Sequence, residues 1–194
     1  MKYEVTKMKN QLHLHIPESS KLWYRKQMLS DAATMDYNKG YNLIFQGYHN
    51  DTGCIDFPEE QWKKWYNWFV CGKPERFYAY IVRNCDNAFI GEVNVHKSSD
   101  EEWYCMGIVL ESTYRGRGYA IEALHLLLTE TFENLSALGI HNDFEKSRTS
   151  AIKAHLSASF VVNNEENGIV HLCITREQYF ARFASSEYAT KLSK

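Results

Sequence analysis

The residues with the clearest chemical pattern are Arg115-Gly116-Arg117-Gly118-Tyr119-Ala120, which follow the apolar run Ile108-Val109-Leu110 and precede a second apolar stretch. A strand leading through a glycine-rich turn into a helix binds anions. Gly116 and Gly118 permit positive φ and close backbone approach, and the unpaired amides and dipole at the helix start attract phosphate oxygens. Arg115 and Arg117 place two cations in the same turn. The segment also reads as a plain glycine turn with two solvated arginines, because a glycine motif alone has little specificity. A P-loop needs Gly-Lys-Ser/Thr, and the dinucleotide fingerprint needs G-x-G-x-x-G inside a parallel βαβ unit. Neither is present.

A second constellation runs from Arg148 to Phe160. On a helix, Arg148 and His155 lie two turns apart and share a face with Ala151 and Ala158, so both can address one ligand. Glu92 sits inside a strand-like run, where a carboxylate is unexpected unless it meets solvent or a polar cleft. It is either a general base or an exposed strand carboxylate, with Glu111, Asp56 and a chain of waters as rivals. A turn near Ser98 to Asp100 puts Glu92 roughly opposite Gly107 on the next strand. His13 and His15 share one strand face as a metal pair does, yet no carboxylate or cysteine partner lies in sequence reach, so no metal is expected.

Arg115, Gly118 and Ala120 stand in the register Q/R-x-x-G-x-G/A, which resembles the acyl-CoA signature of the GNAT superfamily. Arg148 to Phe160 is similar to that family's N-x-x-A-I-x-L-Y-x-x-x-G-F segment, with Arg148 at the Asn position, His155 at the Tyr position and Ser159 at the Gly position. The resemblance implies an α+β, three-layer fold: a central, mostly antiparallel mixed sheet of about seven strands flanked by helices, forming one domain over residues 1–194. It implies acetyl-CoA as co-substrate and direct attack on the thioester by a primary amine of a small-molecule acceptor. A homodimer is compatible with it. The donor then lies between the fourth and fifth strands. Ile108, Val109 and Leu110 offer backbone groups to the pantetheine, and the amides of Gly116, Arg117, Gly118, Tyr119 and Ala120 hold the pyrophosphate. Arg148, Lys153 and His155 line the arm.

By the same resemblance His155 stands where relatives commonly keep the proton donor to the leaving thiolate, and Tyr104 where some keep a catalytic Glu. The alternative for His155 is a histidine packed along a small-residue face. The three departures from the segment are compatible with a CoA-binding module that has no transferase activity. A reading outside the family is a phosphate-binding interaction domain in which Arg115 and Arg117 contact a partner's anionic group.

These groups need a scaffold. Alternation predicts a strand over Gln11 to Ile16, with a helix entered at Pro17 to Ser20 and running towards Asp31. Tyr37, Asn38, Lys39, Gly40, Tyr41, Asn42, Gly47, Tyr48 and Asn50 make an irregular stretch suited to the acceptor side. Asp56 is placed to cap a helix from Phe57 to about Cys71, with Pro58 near its first position. Its stripe of Trp62, Trp65, Tyr66, Trp68 and Phe69 is core or pocket wall, and Tyr41, Tyr48 and Trp62 are candidate cleft walls. Three antiparallel strands follow, Phe77 to Arg83, Ala88 to His96 and Glu102 to Leu110, with turns at Asn84 to Asn87 and Lys97 to Glu101. Then come a broadly apolar helix from Ala120 to about Leu135, a strand from Leu138 to Phe144, a helix from Thr149 to Ala158, and strands Phe160 to Asn163 and Gly168 to Ile174.

Composition sets the remaining bounds. The 194 residues, 44% hydrophobic and 24% charged with three prolines, describe a globular chain that buries its own core. A formal net charge of -2 argues against nucleic acid as partner. The start MKYEVTKMKNQ lacks the apolar core of a secretory signal, and no apolar run is long enough for a membrane, so the expected location is cytoplasmic. Cys54, Cys71, Cys85, Cys105 and Cys173 lack paired spacing and read as reduced thiols.

Overall fold

The computed structural model describes residues 10–41, 43–44, 46–99 and 102–182. The polar start of the chain, Asn42 of the irregular stretch and Asp100 and Glu101 of the turn expected at Lys97 to Glu101 lie outside the described residues.

Seven strands form one sheet: β1 (Leu12–His15), β2 (Arg76–Arg83), β3 (Ala88–Lys97), β4 (Trp103–Leu110), β5 (Gly139–Glu145), β6 (Val161–Glu166) and β7 (Ile169–Thr175). Their spatial order is β1-β2-β3-β4-β5-β7-β6, and every neighbouring pair is antiparallel except β4 and β5. The helices are α1 (Leu22–Leu29), α2 (Glu59–Phe69), α3 (Tyr119–Thr129) and α4 (Thr149–Ser157). Residues 176–182 are also helical. This is the three-layer α+β architecture that the sequence implies.

Alternation along β2 sorts the two faces. Phe77, Ala79 and Ile81 join Val93, Val95, Tyr104, Met106 and the α3 residues Ala123, Leu124, Leu127 and Leu128 in the main core. Tyr78 and Tyr80 point the other way and meet Tyr24 of α1 and Trp65, Tyr66 and Phe69 of α2. The α2 stripe therefore packs half-buried against the core, with one exception: Trp68 is 54% exposed, with the Arg76 guanidinium 4.1 Å over its ring. The breadth of the apolar arc on α3 explains its burial, and the arc continues through a π-helical turn, Glu130–Asn134, that buries Phe132. On the polar side of α3, Glu122 accepts hydrogen bonds from the amides of Gln11 and Leu12 at 2.6 and 2.9 Å, tying down β1 at the sheet edge.

Several local expectations shift. Asp56 does not cap α2. The N-cap is Pro58 and makes no side-chain capping bond, while the Asp56 carboxylate meets His49 Nε2 at 3.0 Å. β6 runs to Glu166, because Asn167 and Gly168, both at positive φ (52° and 79°), form a two-residue hairpin turn. Glu92 pairs with Val109, and it is Asn94 that faces Gly107. The reason is a longer connection than the turn residues suggested: Lys97 pairs with Tyr104, and the Ser98 amide donates to the Trp103 carbonyl at 2.8 Å. The shift is by two residues, so Glu92 keeps the face expected of it.

Candidate active site

β4 and β5 pair only from Trp103–Gly139 to Cys105–His141 and then separate. Beyond that point, β4 (Met106 to Leu110) and β5 (Asn142 to Glu145) turn towards each other strand edges that no strand fills. Unpaired backbone N–H and C=O groups seek partners, and a ligand with amides of its own can supply them. The opening points at the glycine turn. There Gly118 is the left-handed N-cap of α3 (φ 85°), Gly116 has φ 74°, and nothing lies within 4 Å of where a Cβ would sit on either. No side chain caps α3, so its first amides stay available to an anion.

The two arginines of the turn part company. Arg115 turns back to the segment after α1: its Nε donates to the Leu110 carbonyl at 3.1 Å, and its Nη1 meets Asp36 at 2.9 Å. Its Nη2 donates to the Thr34 carbonyl. The sequence had placed this charge beside the phosphate, whereas the side chain acts as a strut. Arg117 remains exposed beside Tyr114.

The strut fixes a loop that crosses the cleft. Tyr37 packs with Val109 and Met35 on the α1/α2 face, and the Arg148 guanidinium lies 4.8 Å over its ring and 5.3 Å over that of Phe144. Burial first, and then nearby Glu92, pushes the Tyr37 hydroxyl up to about 12. Tyr41 lies near Glu145 and Arg148, and partial burial raises its hydroxyl. Tyr48 is a brace for this loop, its hydroxyl bonding Asn38 O and Tyr41 N. Trp62 donates to the Phe57 carbonyl at 3.0 Å within the core beneath.

The expected catalytic side chains are dispersed. Glu92 is 3% exposed; one oxygen accepts from Arg25 and the other from the Tyr78 hydroxyl. Arg25 itself lies 4.5 Å from the Trp65 ring centre and 5.4 Å from that of Phe57. This ion pair is built into the core between sheet and α1. Tyr104 faces α3, 2% exposed, and donates to the Pro74 carbonyl at 3.0 Å. It is on the face opposite Glu92, because register parity puts Cys105 and Val109, not Tyr104, on the α1/α2 side.

His155 is 1% exposed, between the rings of Phe144 and Phe160 at 4.7 and 5.0 Å. Nδ1 lies 2.9 Å from the Ala151 carbonyl, which only accepts, so this nitrogen carries the proton; Nε2 then accepts from the Asn142 amide at 3.3 Å. Burial lowers the ring to about 4, with Arg148 adding to the effect, so it is neutral near pH 7. The packed-histidine reading fits this geometry, and a cationic donor does not. Lys153 points outward from α4, exposed. Ser159, at the family's Gly position, has φ 86°, which explains why glycine is the residue expected there. His13 and His15 bond separately to Asn84 and Glu18, and among the described residues no group of three His, Cys, Asp or Glu is placed to hold a metal.

Residues 14–167 match the family described as an acetyltransferase (GNAT) domain. The chain belongs to the GNAT acetyltransferases. Solved structures share the fold. A spermidine N-acetyltransferase from Vibrio cholerae, in complex with CoA and spermine, superposes with a TM-score of 0.69 at 15% identity, covering 89% of this chain and 99% of that one. A GNAT-family acetyltransferase from Bacillus anthracis gives 0.65 at 18% identity over 87% and 96%. The aminoglycoside acetyltransferase AAC(6')-Ib, in complex with coenzyme A and kanamycin, gives 0.66 at 13% identity over 88% and 98%. No curated protein matches the sequence significantly. Among the described residues, no helix is long and apolar enough to cross a membrane.

The Cys105–His141 pair, with Sγ to Nε2 at 3.2 Å, went unnoticed in the sequence. The residues are 36 positions apart and only strand order joins them.

Proposed function

We propose that this GNAT acetyltransferase moves an acetyl group from acetyl-CoA to a primary amine of a small cationic molecule by direct attack. The observation that carries the reading is the separation of β4 from β5 beyond Cys105, which opens onto the uncapped start of α3. In this reading the free edge of Ile108 to Leu110 receives the pantetheine amides. The amides of Gly116 to Ala120 hold the pyrophosphate, with Arg117 as the available cation. Arg148 borders the arm through its place at the α4 N-cap. His155 serves by fixing the Asn142 amide at the β5 edge. Glu145, exposed at the end of β5, suits a cationic acceptor.

The structural neighbours solved with spermine and kanamycin supply the amine panel, namely spermidine, spermine, kanamycin and ribostamycin. A ligand that binds only the native state raises its melting temperature, so acetyl-CoA at saturating concentration is expected to shift the transition upward. Thiol release on adding a panel amine then reports turnover. No shift at millimolar acetyl-CoA removes the reading. A second reading, a CoA-binding module without transfer activity, is favoured by one observation: Glu92, Tyr104 and His155 are themselves buried and each is engaged in hydrogen bonds within the fold. A shift with no thiol release across the panel selects it.

A further inference from the structure

Cys105 and His141 are the last residues to pair before β4 and β5 part, so their side chains mark the root of the cleft. They lie on the α1/α2 face, the face that carries Tyr37 and Val109. The Cys105 sulfur is 3.2 Å from His141 Nε2 and 4.0 Å from Nδ1, and both residues are half-buried. The Trp103 ring fills the space over Gly139 and approaches the His141 ring at 6.5 Å, closing the side away from the opening. Towards the opening, Gly107 contributes no side chain, and a Cβ there would come within 2.8 Å of the Asn94 amide. On this face Val109 and Cys105 flank the Asn94 amide, which packs over the Gly107 backbone, and the thiol–imidazole pair lies at the inner end. A donor arm lying along Ile108 to Leu110 directs its thioester towards the end where β4 and β5 meet, since three strand residues span about 10 Å.

We propose that His141 is the proton acceptor for the incoming amine and that Cys105 is the positioning residue that holds its ring. The inference rests on the acetyl-CoA reading above. Nδ1 is the ring nitrogen farther from the Cys105 sulfur, and in the tautomer with the proton on Nε2 it carries the lone pair. One proton of the substrate ammonium passes to Nδ1. The free amine attacks the acetyl carbon, forming C–N and a tetrahedral adduct whose collapse breaks C–S. The second nitrogen proton goes to the departing CoA thiolate as the adduct collapses, and His141 returns its proton to solvent. Cys105 is suited to a neutral role, because burial and then Asp143 push its thiol up. The groups facing His141 are Cys105 and Trp103 from β4, Cys173 from β7 and, beyond Cys105, His96 from β3. The Nδ1 of His96 is buried without a hydrogen-bond partner. Asp143, next on the same face of β5, is held by His171 at 2.8 Å.

Two measurements test this. Iodoacetamide labelling of each cysteine, read by peptide mass, is expected to be slowed at least tenfold by saturating acetyl-CoA at Cys105 and not at exposed Cys71. An upward melting shift without protection of Cys105 overturns the proposal and leaves the acetyl-CoA reading intact, whereas the absence of any shift overturns that reading first. For the fastest amine of the panel, H141Q is expected to lower kcat/KM by about 100-fold or more and to abolish the acid limb of its pH profile, with the acetyl-CoA melting shift retained. C105A is expected to displace that limb and C105S to bring it back. If H141Q fails to fold, C105A and C105S carry the same readout. Turnover within threefold of wild type in H141Q, or an acid limb indifferent to Cys105, refutes the assignment.

Discussion

The Arg25–Glu92–Tyr78 cluster separates a structural carboxylate from a catalytic one. The side chains of Arg25 and Glu92 are 16% and 5% exposed, so Glu92→Leu leaves a guanidinium uncompensated in the core. Breaking a buried pair from one side costs about 3–5 kcal/mol, a large fraction of the roughly 5–15 kcal/mol that holds a typical domain folded. At about 2–4 °C per kcal/mol for a domain of this size, the melting temperature should fall by roughly 6–20 °C. Arg25→Met should cost a similar amount. The double variant Arg25→Met/Glu92→Leu removes both charges and should recover most of the loss, leaving about 1–3 kcal/mol because the Tyr78 hydroxyl then lacks its acceptor. Adding Tyr78→Phe should recover that remainder. Urea unfolding of the four variants gives the coupling energies, and thiol release with the fastest panel amine gives turnover. Strictly additive losses refute the buried-pair account. A stably folded triple variant without turnover, whose acetyl-CoA shift persists, returns Glu92 to catalysis.

His155 should make stability depend on acid. Its folded value of about 4 lies below the unfolded value of about 6.5, so the fold favours the neutral ring; the contribution is complete above pH 6.5 and is lost as pH falls towards 4. The difference is about 3 kcal/mol, and His155→Gln should flatten urea-derived stability over that window. The same variant should keep turnover at saturating amine, and its loss in a folded protein would restore His155 as proton donor. Arg115→Gln should loosen the loop after α1, raising the amine KM about tenfold with little change in acetyl-CoA affinity. Arg117→Ala should instead weaken acetyl-CoA by about 1 kcal/mol, measured by calorimetry, and by less at high salt. Ser159→Gly relieves a left-handed backbone at the cost of chain entropy, and a gain of up to about 1 kcal/mol is expected in urea.

Local chemistry is what the sequence determined. Gly116 and Gly118 specified a left-handed turn before α3, the apolar arc of α3 specified its burial, and alternation specified β2, β3 and β4, because each of these depends on residues a few positions apart. The parity of Glu92 followed too, although a connection two residues longer than expected moved its partner from Gly107 to Val109. Only the tertiary structure decided what the side chains do. Arg115 turned from phosphate to strut because Thr34 and Asp36, about 80 positions away, accept its protons. Glu92 became half of an ion pair because α1 brings Arg25 onto β3. Cys105 met His141 because β5 lies parallel to β4 for three residues and then leaves it. Partners so far apart in the chain leave no local spacing to read, and it is their distance and burial that distinguish a reactive group from a structural one.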